Sequence, residues 1–418
     1  MYTLAIAGYP FSALVRAYWG LGFQSALVSG AVRGLILLVV AYVLIAQTHR
    51  GRLVYKGAWL RPLALFWFLY LCRMVFDIYI AGRSYGPTAY TGDVSPVFYA
   101  LLVTLCPMVG FLVRPSEREL RLAATCTVAL LTVVCVSTSL MEQSRHFLIA
   151  TGRLGLAELN PISLGQCGTT LVVLSLYLML TSPRRGRMIS ICLGIGCCLF
   201  GSYTLIGSGS RGAVVSLAAA VAALAWWMTR NLSLRRISTL ALAAGAFVAI
   251  GIAVFGMDLP AVKPAIEQGS DMLIGRTEAD IGQGELYSRS RVTRAAITQF
   301  IENPVFGSGM AERETGDYPH NLWIEAFMAT GAVGGVAMLI VSFEALKACM
   351  LVVKTQRQGA WVGLIFLQYL VGGLFSGAIW GSTAFWCLAA GTISLAVLRA
   401  PKRAAGPLAR GRVPPDLG

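Results

Sequence analysis

The sequence predicts an all-α membrane protein that crosses a bilayer in about 12 transmembrane helices. Hydrophobic residues make up 56% of its 418 residues and charged residues only 13%, which excludes an ordinary soluble domain. The apolar runs are continuous and repeated, and about 20 such residues let one helix cross the ~30 Å hydrocarbon layer. A bacterial β-barrel would instead need alternating segments of about ten residues, so the continuous runs favour helices.

Apolar spans follow one another along the chain. The first two lie at about 3–22 and 24–46 and are interrupted by Arg16 and Arg33. The others lie at about 58–80, 94–113, 121–140, 161–181 and 188–206, then one to about 228, one ending near 255, and three at about 321–346, 359–377 and 380–398. Together they predict transmembrane helices 1–9 in residues 1–256, a long periplasmic loop with short helices at 257–319, transmembrane helices 10–12 in residues 320–398, and a basic cytoplasmic tail at 399–418.

The basic residues predict the orientation of the chain. The net charge is +15, and the basic residues fall in short loops such as 49–56 and 184–187, which alternate with loops that lack this excess. Because Lys and Arg collect in cytoplasmic loops, both termini are expected in the cytoplasm. This distribution excludes a nucleic-acid partner and indicates contact with membrane lipids. The polar segments expected outside are 81–93, 141–160, 207–211 and 257–319.

One of the three histidines has a setting suited to catalysis. His320 follows Pro319 and opens the span that continues from Asn321. A helix N-terminus disfavours an imidazolium, so this ring is expected to stay neutral and able to accept a proton. His49 lies among cytoplasmic basic residues, and His146 lacks a helix start. His320 is therefore the candidate general base.

Arginines in the external segments predict an anionic substrate. Arg211 lies in the turn from Gly207 to Gly212, where glycines permit close backbone approach and a helix start offers free N–H donors. The other arginines, on a predicted short helix at about 288–302, are Arg289, Arg291 and Arg294. A guanidinium binds a pair of phosphate oxygens well. Arg211 is equally compatible with an interfacial position, and the other group with anionic lipid headgroups.

Arg153 and Asn160, which precedes Pro161, are further candidates for substrate binding. Metal binding is not predicted, because Glu278 and Asp280 have the spacing of a carboxylate pair but no neighbouring ligand. The ten cysteines lie in or beside apolar spans, without the spacing of a zinc site. No cofactor is expected.

Three short motifs together resemble one family. They are the SRGA turn at 210–213, Arg289 followed after a helix by ENPVFGSG at 302–309, and the HN pair at 320–321. In this combination the chain resembles the superfamily of O-antigen ligases and Wzy-type polymerases, which are enzymes of the bacterial envelope. Arg153 with Asn160-Pro161 is similar to that group as well. So is the layout of the spans, with a long external loop late in the chain.

The resemblance implies a metal-independent glycosyltransferase of the bacterial inner membrane, with a GT-C-like bundle and an active site that faces the periplasm. The donor would be a glycan on undecaprenyl pyrophosphate, and in the ligase branch the acceptor would be a sugar hydroxyl of lipid A–core. By the same resemblance Arg211 and Arg289 engage the pyrophosphate and His320 acts on the acceptor, with inversion at the anomeric carbon. Substrate-binding roles are expected for Arg153, Asn160, Arg291, Arg294 and Asn321.

Other functions stay open on the sequence alone. A Wzy-type polymerase would extend the glycan instead of moving it to lipid A–core. A protein O-oligosaccharyltransferase would move it to a protein, but such enzymes usually carry a larger C-terminal region. A transporter, which belongs to a different class, tends to place charged residues and broken helices at mid-membrane. Here the candidate residues collect at the outer ends of spans, which favours an enzyme.

Overall fold

The computed structural model of the protein describes residues 1–19, 26–49, 57–82, 96–113, 115–183, 187–231, 285–314, 316–356 and 358–397. Within these ranges the regular elements are helices joined by turns and short irregular segments, which confirms the all-α prediction. The predicted span that ends near 255, the first part of the predicted long loop and the basic tail lie outside the described residues.

Most helices begin and end close to the predicted spans. In chain order they are α1 Tyr2–Tyr18, α2 Ala26–His49, α3 Leu60–Ile80, α4 Pro96–Val109, α5 Glu117–Leu140, α6 Glu142–Thr151, α7 Pro161–Thr181, α8 Arg187–Gly207, α9 Arg211–Asn231, α10 Glu285–Glu302, α11 Leu322–Thr355, α12 Ala360–Gly372 and α13 Thr383–Val397. A 3₁₀ turn, Ile379–Gly381, precedes α13. The last turn of α3 and the middle of α4 are π-helical.

Six of the described helices are long and apolar enough to cross a membrane by length and composition. They are α3, α5, α7, α8, α9 and α11, and shorter apolar helices lie within α2 and at α4, α12 and α13. The chain is therefore a multi-pass membrane protein. The total of about 12 spans and the likeness to GT-C bundles stay predictions.

Some boundaries differ from the prediction. The predicted span at 321–346 left Lys347 in a loop, but α11 continues to Thr355, and Lys347 Nζ donates to Glu344 Oε1 at 2.6 Å within the helix. Hydropathy marks the end of an apolar run, whereas a helix continues through polar side-chain pairs of this spacing. In contrast, α12 ends at Gly372 instead of about 377, and the segment that follows includes Gly377 with φ 114.

The core forms where α11, α12 and α13 pack together with α3 and α7. Aromatic rings fill its centre: Phe66 and Trp67 of α3 meet Trp386 of α13, with ring centroids 5.6 and 5.0 Å apart. All three side chains are buried. Aromatic pairs in this distance range add to the stability gained from burial alone. The packing joins α3 and α13, and both of these helices also contact α11.

Two buried carboxyl groups tie α3 to the segments around α11. Glu325 in α11 accepts hydrogen bonds from the Tyr70 hydroxyl at 2.6 Å and from the Ile379 amide at 3.0 Å. Asp77 in α3 faces Arg73 Nε at 3.2 Å and accepts a 3.1 Å hydrogen bond from the Met310 amide. A buried carboxyl group is strongly destabilising unless it is paired. These contacts fix two segments: Asp77 of α3 binds the segment before α11 at Met310, and Glu325 of α11 binds the segment before α13 at Ile379.

Candidate active site

Segments that are remote in sequence enclose a cavity of about 470 Å³ at one end of the bundle. Its polar lining residues are Arg153, Gln166, Ser210, Arg211, Thr293, His320, Asn321 and Ser376. No Asp or Glu is among its described lining residues, so the two guanidinium groups make it positively charged. We refer to it as the cationic cavity.

The turn before α9 brings Arg211 to the cationic cavity. Gly209 adopts φ 58, a left-handed conformation that glycine takes without strain. The Ser210 carbonyl accepts hydrogen bonds from the amides of Ala213 at 3.1 Å and Val214 at 3.2 Å. Arg211 is therefore the first residue of α9, as the sequence predicted. The partial positive charge of a helix N-terminus adds to that of the guanidinium.

Arg153 is held against the same turn from a different part of the chain. Its Nε donates a 2.8 Å hydrogen bond to the Ser208 carbonyl. The amide of Leu154 donates a 2.7 Å hydrogen bond to the Gly207 carbonyl. These two bonds connect the segment before α7 to the start of α9. They place two arginines on the lining of one cavity, which the sequence alone did not show.

His320 lines the cationic cavity with its backbone in an uncommon conformation. Its φ is 52, and no other non-glycine residue among those described has a positive φ. Such a conformation costs of order 1–3 kcal/mol and persists where the surroundings hold it, often at functional sites. The imidazole packs on the ring of Tyr318 with centroids 4.3 Å apart. The ring contact and the backbone conformation both restrict where the imidazole can lie.

Asn321 holds the start of α11 directly after His320. Its Oδ1 accepts hydrogen bonds from the amides of Trp323 at 3.0 Å and Ile324 at 3.1 Å, so it caps the helix. Its Nδ2 donates a 3.1 Å hydrogen bond to the Leu374 carbonyl, in the turn after α12. Both ends of the amide therefore contact the backbone and position His320. A substrate contact of Asn321 stays a prediction.

The ENPVFGSG motif at 302–309 joins α10 to a kink in α11. At Gly331 the backbone leaves the helical region, with φ 66 and ψ −164. The next amide, of Ala332, donates a 2.6 Å hydrogen bond to the Pro304 carbonyl of the motif. The Ser308 amide donates a 3.0 Å hydrogen bond to the Met328 carbonyl. The motif therefore anchors the end of α10 on α11, a role that the sequence analysis did not assign.

The arginines of α10 differ in their placement. Arg291 Nη2 lies 3.1 Å from Glu314 Oε2, with both side chains more than half exposed, and Arg294 is exposed. Neither residue lines the cationic cavity, whereas Thr293 does. Arg289 belongs to α10, but its side chain lies outside the described residues. Roles for these three arginines stay predictions.

Asn160, which caps α7, was predicted as a site residue, whereas Gln166 inside α7 was not. Asn160 Oδ1 accepts a 2.8 Å hydrogen bond from the Ser163 amide, which caps α7, and Asn160 lines a neighbouring cavity instead of the cationic one. Gln166 lines both cavities and was not predicted. Its Oε1 accepts a 2.8 Å hydrogen bond from Gln368 Nε2. A glutamine inside an apolar span was the available signal, because intramembrane polar groups face the protein interior.

Residues 196–339 match the family model described as O-antigen ligase, Wzy_C. The chain carries a Wzy_C domain. This match confirms the predicted resemblance to the superfamily of O-antigen ligases and Wzy-type polymerases. The Wzy_C segment starts in α8, includes Arg211, Arg289 and His320, and ends in α11, while Arg153 precedes it. No curated protein and no solved structure matches the chain.

The Wzy_C domain supports a membrane transferase of the ligase or polymerase type, acting with a lipid-linked glycan donor and a lipid acceptor. The cationic cavity fits such chemistry. It offers two guanidinium groups and a helix N-terminus to an anionic group, beside an imidazole that could take a proton.

Proposed function

We propose that this protein is an O-antigen ligase. It transfers a glycan from undecaprenyl pyrophosphate to a sugar hydroxyl of lipid A–core on the periplasmic side of the bacterial inner membrane. The single observation that carries the proposal is the cationic cavity within a chain that has a Wzy_C segment: Arg153, Arg211 and His320 line it together, and no described lining residue is acidic.

The donor pyrophosphate is the ligand that this charge distribution suits. Guanidinium groups bind pairs of phosphate oxygens through parallel N–H donors, and the first amides of α9 add further donors. Arg289 precedes the cavity-lining Thr293 by four positions in α10, a spacing that puts two residues on the same face of a helix. We therefore retain Arg289 with Arg211 as the pair that stabilises the leaving pyrophosphate.

The transfer is a direct displacement at the anomeric carbon of the donor glycan. The acceptor hydroxyl oxygen forms the new C–O bond while its proton moves to the imidazole of His320. The bond between the anomeric carbon and the pyrophosphate oxygen breaks, and the electron pair stays with the pyrophosphate. Arg211 and Arg289 stabilise the negative charge that grows there, which is where electrostatic catalysis has its effect. Attack opposite the leaving group inverts the anomeric configuration. The two guanidinium groups stabilise the negative charge of the pyrophosphate, so the proposed mechanism uses no metal ion.

The constrained backbone of His320 serves this step. General-base assistance contributes about 10²–10⁴-fold only when the base lies within hydrogen-bond reach of the proton that it accepts. The left-handed φ of 52, the cap formed by Asn321 and the contact with Tyr318 hold the imidazole in place before substrate binds. Positioning of this kind lowers the entropic part of the barrier.

The test is a transfer assay in proteoliposomes with undecaprenyl pyrophosphate-linked glycan and lipid A–core. We expect glycosylated lipid A–core from the wild type, and a loss of at least about 100-fold in kcat for His320→Ala. Arg211→Ala and Arg289→Ala should each lower kcat/KM for the donor. The matched control is Arg145→Ala, an exposed arginine of α6 that does not line the cavity. Product with retained anomeric configuration would contradict direct displacement.

The same assay separates the alternatives that a Wzy_C domain leaves open. A second lipid-linked glycan as acceptor tests a Wzy-type polymerase, and a periplasmic protein tests an O-oligosaccharyltransferase. Extension of the lipid-linked glycan in preference to lipid A–core would favour the polymerase. Movement of the lipid-linked glycan across the bilayer without a covalent product would favour a transporter.

A further inference from the structure

A second cavity, of about 300 Å³, lies directly beside the cationic cavity. The two share four lining residues, namely Ile162, Gln166, Gly372 and Ser376. The second cavity is built mainly by α1, α4, α7 and the segment between α12 and α13. We refer to it as the neutral cavity, because its described lining contains no Asp, Glu, Lys, Arg or His.

The lining of the neutral cavity combines aromatic rings with uncharged hydrogen-bonding groups. Its aromatic residues with a polar group are Tyr9, Tyr99, Tyr318, Tyr369 and Trp380. Its hydroxyl and amide side chains are Asn160, Ser163, Gln166, Ser376, Ser382 and Thr383. Such a lining suits a ligand with apolar C–H faces and hydroxyl groups at its edges, and it has no charge to offer a phosphate.

We propose that the neutral cavity binds an uncharged sugar ring of the acceptor glycan and presents its hydroxyl to the transfer centre. This inference rests on the function proposed above and adds a substrate subsite to it. The sugar packs its C–H faces on the aromatic rings, and its hydroxyls exchange hydrogen bonds with the amide and hydroxyl side chains. The phosphate groups of the donor stay in the cationic cavity, where the arginines are.

Tyr318 connects the neutral cavity to the general base. Its ring is part of the neutral cavity and packs on the imidazole of His320, with centroids 4.3 Å apart, while His320 lines the cationic cavity. A sugar in the neutral cavity therefore lies next to the base that accepts its proton. The leaving pyrophosphate lies in the cationic cavity, across the shared lining residues from the sugar. This arrangement suits the proposed displacement, in which the acceptor hydroxyl attacks the anomeric carbon opposite the leaving group.

The isoprenoid chain of the donor is the competing occupant. Several lining groups already hydrogen-bond within the protein, such as Ser382 to the Ala378 carbonyl and Thr383 to the Val103 carbonyl, but a hydroxyl or amide oxygen can accept further hydrogen bonds. A sugar uses this remaining capacity, whereas a long hydrocarbon chain does not. The cavity volume of about 300 Å³ also lies at the lower end of the range for small-molecule pockets, about 300–1,000 Å³. Both observations favour a compact polar ring over an extended chain.

A substitution that fills the cavity tests the proposal directly. Gly381 lines the neutral cavity, and a Cβ added there meets no atom within 4 Å, so the backbone accepts a side chain at this position and the rest of the leucine in Gly381→Leu takes up space at the cavity lining. The matched control is Gly196→Leu, because a Cβ at Gly196 in α8 also meets no atom within 4 Å and Gly196 lines neither cavity. A second variant, Trp380→Leu, removes a half-buried ring of the cavity, and Trp226→Leu is its half-buried control outside it.

The measurement is the affinity of the purified full-length chain for two probes, lipid A–core and undecaprenyl pyrophosphate, each without the other. We expect Gly381→Leu and Trp380→Leu to weaken lipid A–core binding about tenfold or more, which corresponds to about 1.4 kcal/mol. Their affinity for undecaprenyl pyrophosphate, and both affinities of the two controls, should stay within about twofold of wild type.

Three results would overturn the proposal. The first is that the wild type does not bind lipid A–core, and the second is that both cavity variants bind lipid A–core as well as the wild type does. The third is that the cavity variants lose affinity for undecaprenyl pyrophosphate alone, which would place the isoprenoid chain in the neutral cavity. The proposed function fails separately. Binding of lipid A–core that depends on Gly381, without any glycan transfer by the wild type, would refute the ligase and leave the sugar subsite in place.

Discussion

Gly331→Ala should disconnect the ENPVFGSG motif from α11 and so disturb the site from a distance. Gly331 has φ 66, a conformation that costs a residue with a Cβ of order 1–3 kcal/mol. An added Cβ would also overlap the Val305 carbonyl group, which is backbone and cannot rotate away. The motif must therefore move away from the kink.

The magnitude follows from the contacts that would be lost. The hydrogen bonds from Ala332 to Pro304, at 2.6 Å, and from Ser308 to Met328, at 3.0 Å, each contribute about 0.5–1.5 kcal/mol. Together with the cost of a positive φ in a residue that has a Cβ, this loss should weaken the docking of the motif on α11 by about 2–6 kcal/mol. A loss of about 3 kcal/mol raises the undocked population roughly 100-fold. Since the motif anchors α10, and with it Thr293 and Arg289, glycan transfer should fall as well.

Hydrogen exchange of the detergent-solubilised protein, read by mass spectrometry, measures this effect. In Gly331→Ala we expect the amides of 303–310 to exchange at least about tenfold faster, while those of α13 keep their protection. The control is Gly196→Ala, which adds a methyl group in open space within α8 and should leave both segments unchanged. Unchanged exchange of 303–310, or wild-type transfer despite faster exchange, would refute the argument that this anchor positions the site.

Two further predictions concern the contacts around the start of α11. Tyr70→Phe removes the hydroxyl that donates to the buried Glu325 at 2.6 Å. We expect the free energy of unfolding to fall by about 1–3 kcal/mol, which lowers the Tm measured in detergent. The control is Tyr203→Phe at an exposed position, which should leave the Tm unchanged. Asn321→Ala removes the cap of α11 and should lower the free energy of unfolding by about 1 kcal/mol. It should also reduce kcat more than it raises KM, because the imidazole of His320 is then less well positioned. Asn321→Ser retains a capping oxygen and should recover much of that loss; equal defects in the alanine and serine variants would argue against a capping role.

Much of the architecture follows from local patterns. The apolar runs at 161–181 and 188–206 coincide with α7 and α8, because a run of about 20 apolar residues is stable in a bilayer only as a helix. The start of α9 at Arg211 was predicted from the glycines before it, since a left-handed turn depends on its own residues. The superfamily was likewise predicted from short motifs. These features depend on neighbours in sequence.

Local patterns were less informative at boundaries that depend on partners. The glycines at 373 and 377 were apolar in pattern and were placed inside a span, but the chain turns there after α12. Lys347 was placed in a loop because it is charged, although it pairs with Glu344 inside α11. The kink at Gly331 has no local signal of its own, because it depends on another segment: the amide of Ala332, which follows it, donates to the Pro304 carbonyl.

Local sequence patterns predicted a helical membrane protein that resembles this superfamily, and they singled out His320, Arg211 and Arg153 as candidates. That these three line one cavity, that Gln166 also lines it and that an uncharged cavity adjoins it became visible in the folded chain alone. Helices and turns could be predicted because they depend on hydrogen bonds and hydropathy within a few residues. The distance between Arg153 and the turn at Ser208, in contrast, depends on how α7, α9, α11 and α12 pack, and packing is a property of the whole bundle.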